Sequence, residues 1–91
     1  MVVVNSHRTT AIVIRHDGHH VTLVPMKSGH LSATRLDRAR FDGEWRALDY
    51  DLARALAFFL DHAEKQGATR EAMDGLRRLE EREHRVVASL F

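Results

Sequence analysis

The 91-residue sequence contains no cysteine. This absence excludes disulfide bonds, thiolate nucleophiles and every zinc site that depends on cysteine ligands. Small secreted domains usually need disulfides because their own core is modest. A chain without them suits a reducing compartment, and we therefore expect a cytoplasmic protein.

Long apolar runs are equally missing. No stretch approaches the ~20 consecutive apolar residues of a membrane-spanning helix, and the first residues lack the charged and apolar segments of a signal peptide. Only one proline is present, while 44% of the residues are hydrophobic and 30% are charged. This balance favours a folded chain over a disordered one. We expect a single domain over residues 1–91 and no membrane partner.

Motifs for catalysis and cofactor binding are lacking as well. The sequence has no glycine-rich phosphate loop, no H-E-x-x-H motif and no serine in a G-x-S-x-G turn. We therefore predict a non-enzymatic protein that uses no cofactor.

The charge is nearly balanced overall but unevenly distributed. The formal net charge is +1 with neutral histidines. Residues 1–46 carry seven basic and four acidic side chains together with five of the seven histidines, whereas residues 47–91 carry seven basic and nine acidic side chains. This asymmetry is too small to predict nucleic-acid binding by itself.

The N-terminal half has the pattern of a β-hairpin. Residues 10–15 and 20–24 are rich in β-branched side chains and flank Asp17-Gly18, a dipeptide typical of a two-residue type I′ turn. Such a turn pairs residue 16 with 19, 14 with 21 and 12 with 23. The predicted core face of this hairpin consists of Ile12, Ile14, Val21 and Leu23.

Further strands are predicted at residues 30–36 and 2–4, because an isolated hairpin is marginally stable in water. Residues 35–48 allow two interpretations. A second hairpin could turn on Asp42-Gly43, or Thr34 could cap a short helix. We favour extended structure with a turn.

The C-terminal half has the period of two amphipathic helices. Asp49 is predicted to cap the first helix, Gly67 to end it and Thr69 to cap the second. The apolar face of the first helix is formed by Leu52, Leu56, Phe59, Leu60 and Ala63. The apolar stripe of the second is formed by Ala72, Leu76, Leu79, Val86 and Leu90. The short connection makes the pair an antiparallel helical hairpin.

Together these elements predict an α+β fold of two layers. Residues 1–48 form a β-rich half with a three- to four-stranded, mainly antiparallel sheet. Residues 49–91 form the antiparallel helical hairpin, which packs on one face of that sheet.

The last helix supplies the leading functional prediction. Met73 and Val87 widen its apolar stripe beyond what one neighbouring helix needs, and small domains without disulfides often gain stability from a second subunit. We therefore expect a small regulatory or adaptor module that binds protein and forms a homodimer through this helix. The predicted interface residues are Leu76, Leu79, Glu83, Val86, Val87 and Leu90.

The alternative function is nucleic-acid binding by the sheet half. Arginines interleaved with aromatic residues can bind phosphates and stack on bases. Three acidic residues nearly cancel the charge of this segment, and its aromatic residues equally suit a buried core. The residues of this alternative are Arg35, Arg38, Arg40, Trp45 and Arg46.

A more remote alternative is metal binding at the hairpin tip. His16 and His19 are predicted to share a face, and Asp17 lies between them. A stable metal site needs three or four converging ligands. Solvated histidines at the tip are the simpler interpretation.

Overall fold

Five β-strands and three α-helices make up residues 1–89, the part of the chain that the computed structural model describes, with side chains described as far as Arg85. The strands are β1 (Val2–Asn5), β2 (Thr10–His16), β3 (His20–Pro25), β4 (Thr34–Asp37) and β5 (Trp45–Ala47). The helices are α1 (Arg38–Glu44), α2 (Leu52–Gln66) and α3 (Arg70–Ser89). The predicted α+β class is confirmed, with one strand more than the upper estimate.

The strands form one antiparallel sheet in the order β4-β3-β2-β1-β5. β4 and β5 are therefore its two edges. α1 connects these edges across one face of the sheet, and α2 and α3 pack on the other. The helical hairpin thus covers one face, as predicted, and α1 adds a small cover on the second face that was not expected from the sequence.

The turn between β2 and β3 lies one residue later than predicted. Asp17 Oδ1 accepts hydrogen bonds from the amides of His19 and His20, both at 2.7 Å. This contact makes Asp17 the first residue of the turn, a position that aspartate favours. Gly18 lacks the positive φ that a type I′ turn requires. The type I′ prediction is therefore wrong.

A β-bulge between Val13 and Arg15 changes which residues share a face. Beyond it, Ile12 pairs with Val24 rather than with Leu23. A shift of one residue in the pairing moves the side chains of a strand to the opposite face. Ile12 and Ile14 therefore lie toward α2 and α3, whereas Val21 and Leu23 lie toward α1. The predicted single core face is wrong for this reason.

Two apolar cores flank the sheet because side chains alternate along its strands. The larger core lies under α2 and α3 and contains Val2, Ile12, Val24, Leu31, Ala55, Leu56, Phe59, Leu60, Ala63, Ala72 and Leu76. The smaller core lies under α1 and contains Val3, Ala11, Val13, Val21, Leu23, Leu36 and Phe41.

α1 replaces the extended turn that was favoured for its segment. Asp37 caps this helix, since its carboxylate accepts a backbone amide at 2.8 Å, and the cap is therefore not Thr34. Asp42-Gly43 lies inside the helix. The helical backbone places Phe41 on the smaller core, and burial of this ring offsets the turn preference of the Asp-Gly pair.

α2 and α3 form the predicted helical hairpin. Asp51, rather than Asp49, caps α2 by accepting a backbone amide at 2.9 Å. Gly67 ends α2 with a φ of 89°, and Thr69 Oγ1 accepts a backbone amide of the first turn of α3 at 3.2 Å. Within the described residues, no helix is both long enough and apolar enough to cross a membrane.

Candidate functional site

The predicted interface on α3 divides into an internal part and an outer part. Leu76 is fully buried in the larger core, so its side chain contacts the chain's own interior. Leu79 is half-buried and packs against the same core, and Glu83 is half-buried one turn farther along. The side chains of Val86 and Val87, and Leu90 as a whole, lie outside the described residues.

α3 extends past its partner helix. It is 20 residues long, whereas α2 is 15, so in an antiparallel pair the last turn of α3 lies beyond the start of α2. Arg82 and Leu79 border a cleft together with Met1, which places this part of α3 beside β1. Because β1 pairs with β5, the end of α3 lies near the β1–β5 edge of the sheet.

Three large apolar side chains of the described residues remain exposed, and all lie near this edge. Met1 is 51% exposed, Tyr50 55% and Phe58 62%. Tyr50 and Phe58 line a groove of about 260 Å³ between α2, the β5–α2 connection and the adjoining ends of β1 and β2. The remaining groove lining consists of Val2, Thr10, Leu48, Ala55 and Phe59, without a charged side chain. We call Met1, Tyr50 and Phe58 the apolar end.

The exposed ring of Phe58 is held by a buried neighbour. The rings of Phe58 and Phe59 lie 6.4 Å apart at an interplanar angle of 72°, which is the favourable edge-to-face arrangement. Phe59 is 2% exposed and belongs to the larger core. The solvent-facing ring of Phe58 is therefore supported by contact with a ring of the larger core.

The sheet does not bring the predicted nucleic-acid residues together. Arg35 lies on β4 and Arg46 lies on β5. These strands form opposite edges of the five-stranded sheet, so about four strand spacings of ~4.8 Å each separate the two residues.

The other residues of that predicted patch are engaged around α1. Arg38 lies 3.8 Å from a carboxylate oxygen of Asp42, and Arg40 lies 2.9 Å from one of Glu44. Trp45 is half-buried and packs against the smaller core. Arg38 and Arg40 thus have carboxylate partners within α1, and Trp45 contributes to the smaller core.

A second arginine cluster was not predicted from the sequence. Arg15 on β2 and Arg78 and Arg82 on α3 line one cleft of about 360 Å³, whose lining contains no carboxylate. Arg15 and Arg78 lie far apart in the chain and meet only because α3 packs on β2. No local spacing in the sequence signals this contact.

The hairpin tip is organised by its aspartate. His16 ends β2 and His19 lies in the following turn, and both are exposed. The backbone hydrogen bonds from His19 and His20 lower the pKa of the Asp17 carboxyl. Across the described residues, no three histidine, aspartate or glutamate side chains converge into a metal-binding group. The Asp17 carboxylate thus stabilises the turn through its two backbone hydrogen bonds.

No protein-family model, curated protein or solved structure matches this chain.

Proposed function

We propose that this chain is a non-enzymatic protein-interaction module that pairs with a second copy of itself through the apolar end and the adjoining end of α3. The supporting observation is the joint exposure of Met1, Tyr50 and Phe58 where α3 extends past α2. Large exposed apolar side chains grouped near one edge of a small domain are typical of an interaction site.

The C-terminal sequence supports a second copy as the occupant. In the sequence, the apolar residues Val86, Val87 and Leu90 follow Leu79 at the predicted spacing, and Leu79 packs against the core. In a two-fold pair each copy contributes both these residues and the groove beside Phe58, so each can bury the apolar residues of the other. A short chain without disulfides gains stability from such burial.

The groove suits an apolar side chain of a protein. Its volume of about 260 Å³ lies below the ~300–1,000 Å³ of most small-molecule sites. Its lining carries no charged side chain, so association through it should respond little to salt.

The proposed setting is the cytoplasm, in a regulatory or adaptor role. The absence of cysteine supports a reducing compartment. No cofactor enters the proposal, because every contact that it uses is apolar.

Light scattering behind size exclusion tests the proposal. We expect the wild type to have about twice its chain mass of 10.4 kDa at both ~0.1 M and ~1 M sodium chloride, since apolar contacts are not screened. Phe58→Asp should yield a folded monomer, because a carboxylate in the interface is costly to desolvate.

The matched control is Gln66→Asp, an exposed position in the last turn of α2, which should leave the dimer intact. Val86→Asp tests the α3 contribution and should also give a monomer. Circular dichroism establishes that each variant is folded. A wild type with the mass of one chain at every concentration would overturn the proposal.

A further inference from the structure

An arginine-lined groove runs between the β2–β3 hairpin and α3. Three adjoining clefts form it, and Arg15 lines all three. Arg78 and Arg82 join Arg15 in the first cleft, Arg70 joins it in the second and Arg35 in the third. We call these five residues the arginine groove, and we propose that it binds the phosphate backbone of a nucleic acid.

The groove arginines differ in ion pairing from four arginines elsewhere on the helices. Arg38, Arg40, Arg54 and Arg85 each have a carboxylate oxygen within 4.0 Å, three or four residues away. Within residues 1–85, none of the groove arginines has such a partner. Apart from Arg35, which also contacts His20, they can offer their guanidinium donors to a phosphate through two parallel hydrogen bonds.

The first cleft is the centre of the groove. Arg15, Arg78, Arg82 and His16 line it, and no carboxylate does. The other lining residues are Met1, Val13, Ile14 and Leu79; their side chains are apolar, and Met1 also carries an amino group whose pKa is lowered by burial. Charged contacts beside such apolar walls are stronger than contacts in open water. A phosphate would therefore bind here first.

Two local features of the backbone build this cleft. A β-bulge lies between Val13 and Arg15, and bulges redirect the side chains that follow them. Arg15 thereby lines clefts with α3, on the same side of the sheet as Ile14. A Cβ at Gly75 would stand 2.6 Å from Ile14 Cδ1, so glycine allows α3 to approach closely and to bring Arg78 beside Arg15.

Acidic side chains that partly neutralise the arginines lie at the end of the groove away from the first cleft. Glu71 and Asp74 line the second cleft, and Asp17 and Glu71 line the third. Arg35 there is also engaged, with its Nη2 3.0 Å from His20 Nδ1. The strongest phosphate contacts are therefore assigned to Arg15, Arg78 and Arg82, and weaker ones to the two remaining arginines.

The extent of the groove favours a polymer over a single phosphate. Arg70 and Arg82 are twelve residues apart on α3, a distance of about 18 Å along the helix. This length matches about five steps of duplex DNA at 3.4 Å per step on each strand. No phenylalanine, tyrosine or tryptophan lines any of the three clefts, so binding should read the backbone and not the bases.

Fluorescence anisotropy with a labelled duplex DNA of about 20 base pairs and mixed sequence tests the proposal. The wild type should bind at ~0.05 M salt with an affinity that falls steeply as salt increases and does not depend on sequence. The variant Arg15→Gln, Arg78→Gln, Arg82→Gln should lose about tenfold in affinity per arginine at ~0.1 M salt, and its salt slope should fall by about 3.

Arg54→Gln is the matched control, because Arg54 is exposed but lies outside the groove and next to Asp51. It should bind DNA as the wild type does. Phe58→Asp should retain binding per chain, which separates this inference from self-association. No duplex binding at ~0.05 M salt, equal binding by the triple variant, or adsorption only to vesicles containing phosphatidylserine would overturn the proposal.

Discussion

The two faces of the sheet are closed by different means. A helical hairpin of 15 and 20 residues covers the larger core, whereas a seven-residue helix with Phe41 as its anchor covers the smaller one. The face covered by the longer helices leaves more apolar surface exposed. Met1, Tyr50 and Phe58 stay exposed beside α2 and α3, and on the α1 side the described large apolar side chains are at least half-buried.

This difference in coverage follows from the length of α3. α3 spans about 30 Å at 1.5 Å per residue, and five strands span about 19 Å from the first to the last. α3 begins near β4, where Glu71 and Arg35 share a cleft, and it reaches Met1 beside β1 at Arg82. A helix that crosses a sheet narrower than itself extends past the edge. The apolar residues there are available to a second chain.

The largest expected effect on stability comes from removing the buried aromatic ring that anchors each face. Phe59→Ala should lower the free energy of unfolding by about 4 kcal/mol, and Phe41→Ala by about 3 kcal/mol. Both rings are buried, but α1 is short and its core can collapse more readily around the lost ring. Urea denaturation measures both values. A larger loss of unfolding free energy for Phe41→Ala than for Phe59→Ala would contradict this ranking of the two cores.

A smaller effect compares one glycine from each face. Gly75→Ala on α3 should destabilise the protein by about 1–3 kcal/mol, because the added Cβ would stand 2.8 Å from the Ile14 Cβ. Gly43→Ala on α1 meets nothing within 4 Å. It should stabilise the protein by up to about 1 kcal/mol through helix propensity.

The midpoints of thermal unfolding of these two variants should therefore move in opposite directions. Equal shifts would mean that α3 does not pack closely on β2. The cleft between Arg15 and Arg78 would then lose its structural basis.

The smallest effect lies at the hairpin tip that both faces share. The pKa of Asp17 is lowered in the folded chain by two backbone hydrogen bonds, so its stabilising contribution is present above the unfolded pKa and is lost as pH falls through the folded value. Asp17→Ala should lower the unfolding temperature at pH 7, and the difference from wild type should vanish under acid conditions.

Asp17→Asn is the control for charge, since its side-chain oxygen can accept the same two amides. It should stay closer to wild type at pH 7, and its unfolding temperature should vary less between neutral and acid pH. A wild type whose advantage over Asp17→Ala persisted fully at pH 2 would contradict the assigned role of the carboxylate.

The predictable parts of the fold depend on residues that are close together in the sequence. The apolar period of α2 and α3, the stop at Gly67 and the cap at Thr69 are properties of a few neighbouring residues. The existence of the β2–β3 hairpin is predictable in the same way. Its register was not, because the bonds from two amides to Asp17 moved the turn by one residue and a bulge between Val13 and Arg15 shifted the pairing again.

The parts that were not predictable depend on distant contacts. α1 is too short to show a helical period, and it forms where Phe41 can enter the smaller core. The arginine groove needs both the bulge before Arg15 and the close approach at Gly75. Neither feature has a local signature, whereas the arginines around Trp45 are close together in the sequence.

Hydrogen–deuterium exchange of the wild type, compared with the Phe58→Asp variant, tests the central claim most directly. If the apolar end is covered by a second copy, amides in residues 48–59 and 82–89 should exchange more slowly in the wild type, and those in residues 34–44 on the α1 side should not change. Identical exchange in the two proteins, or protection confined to the α1 side, would contradict the account.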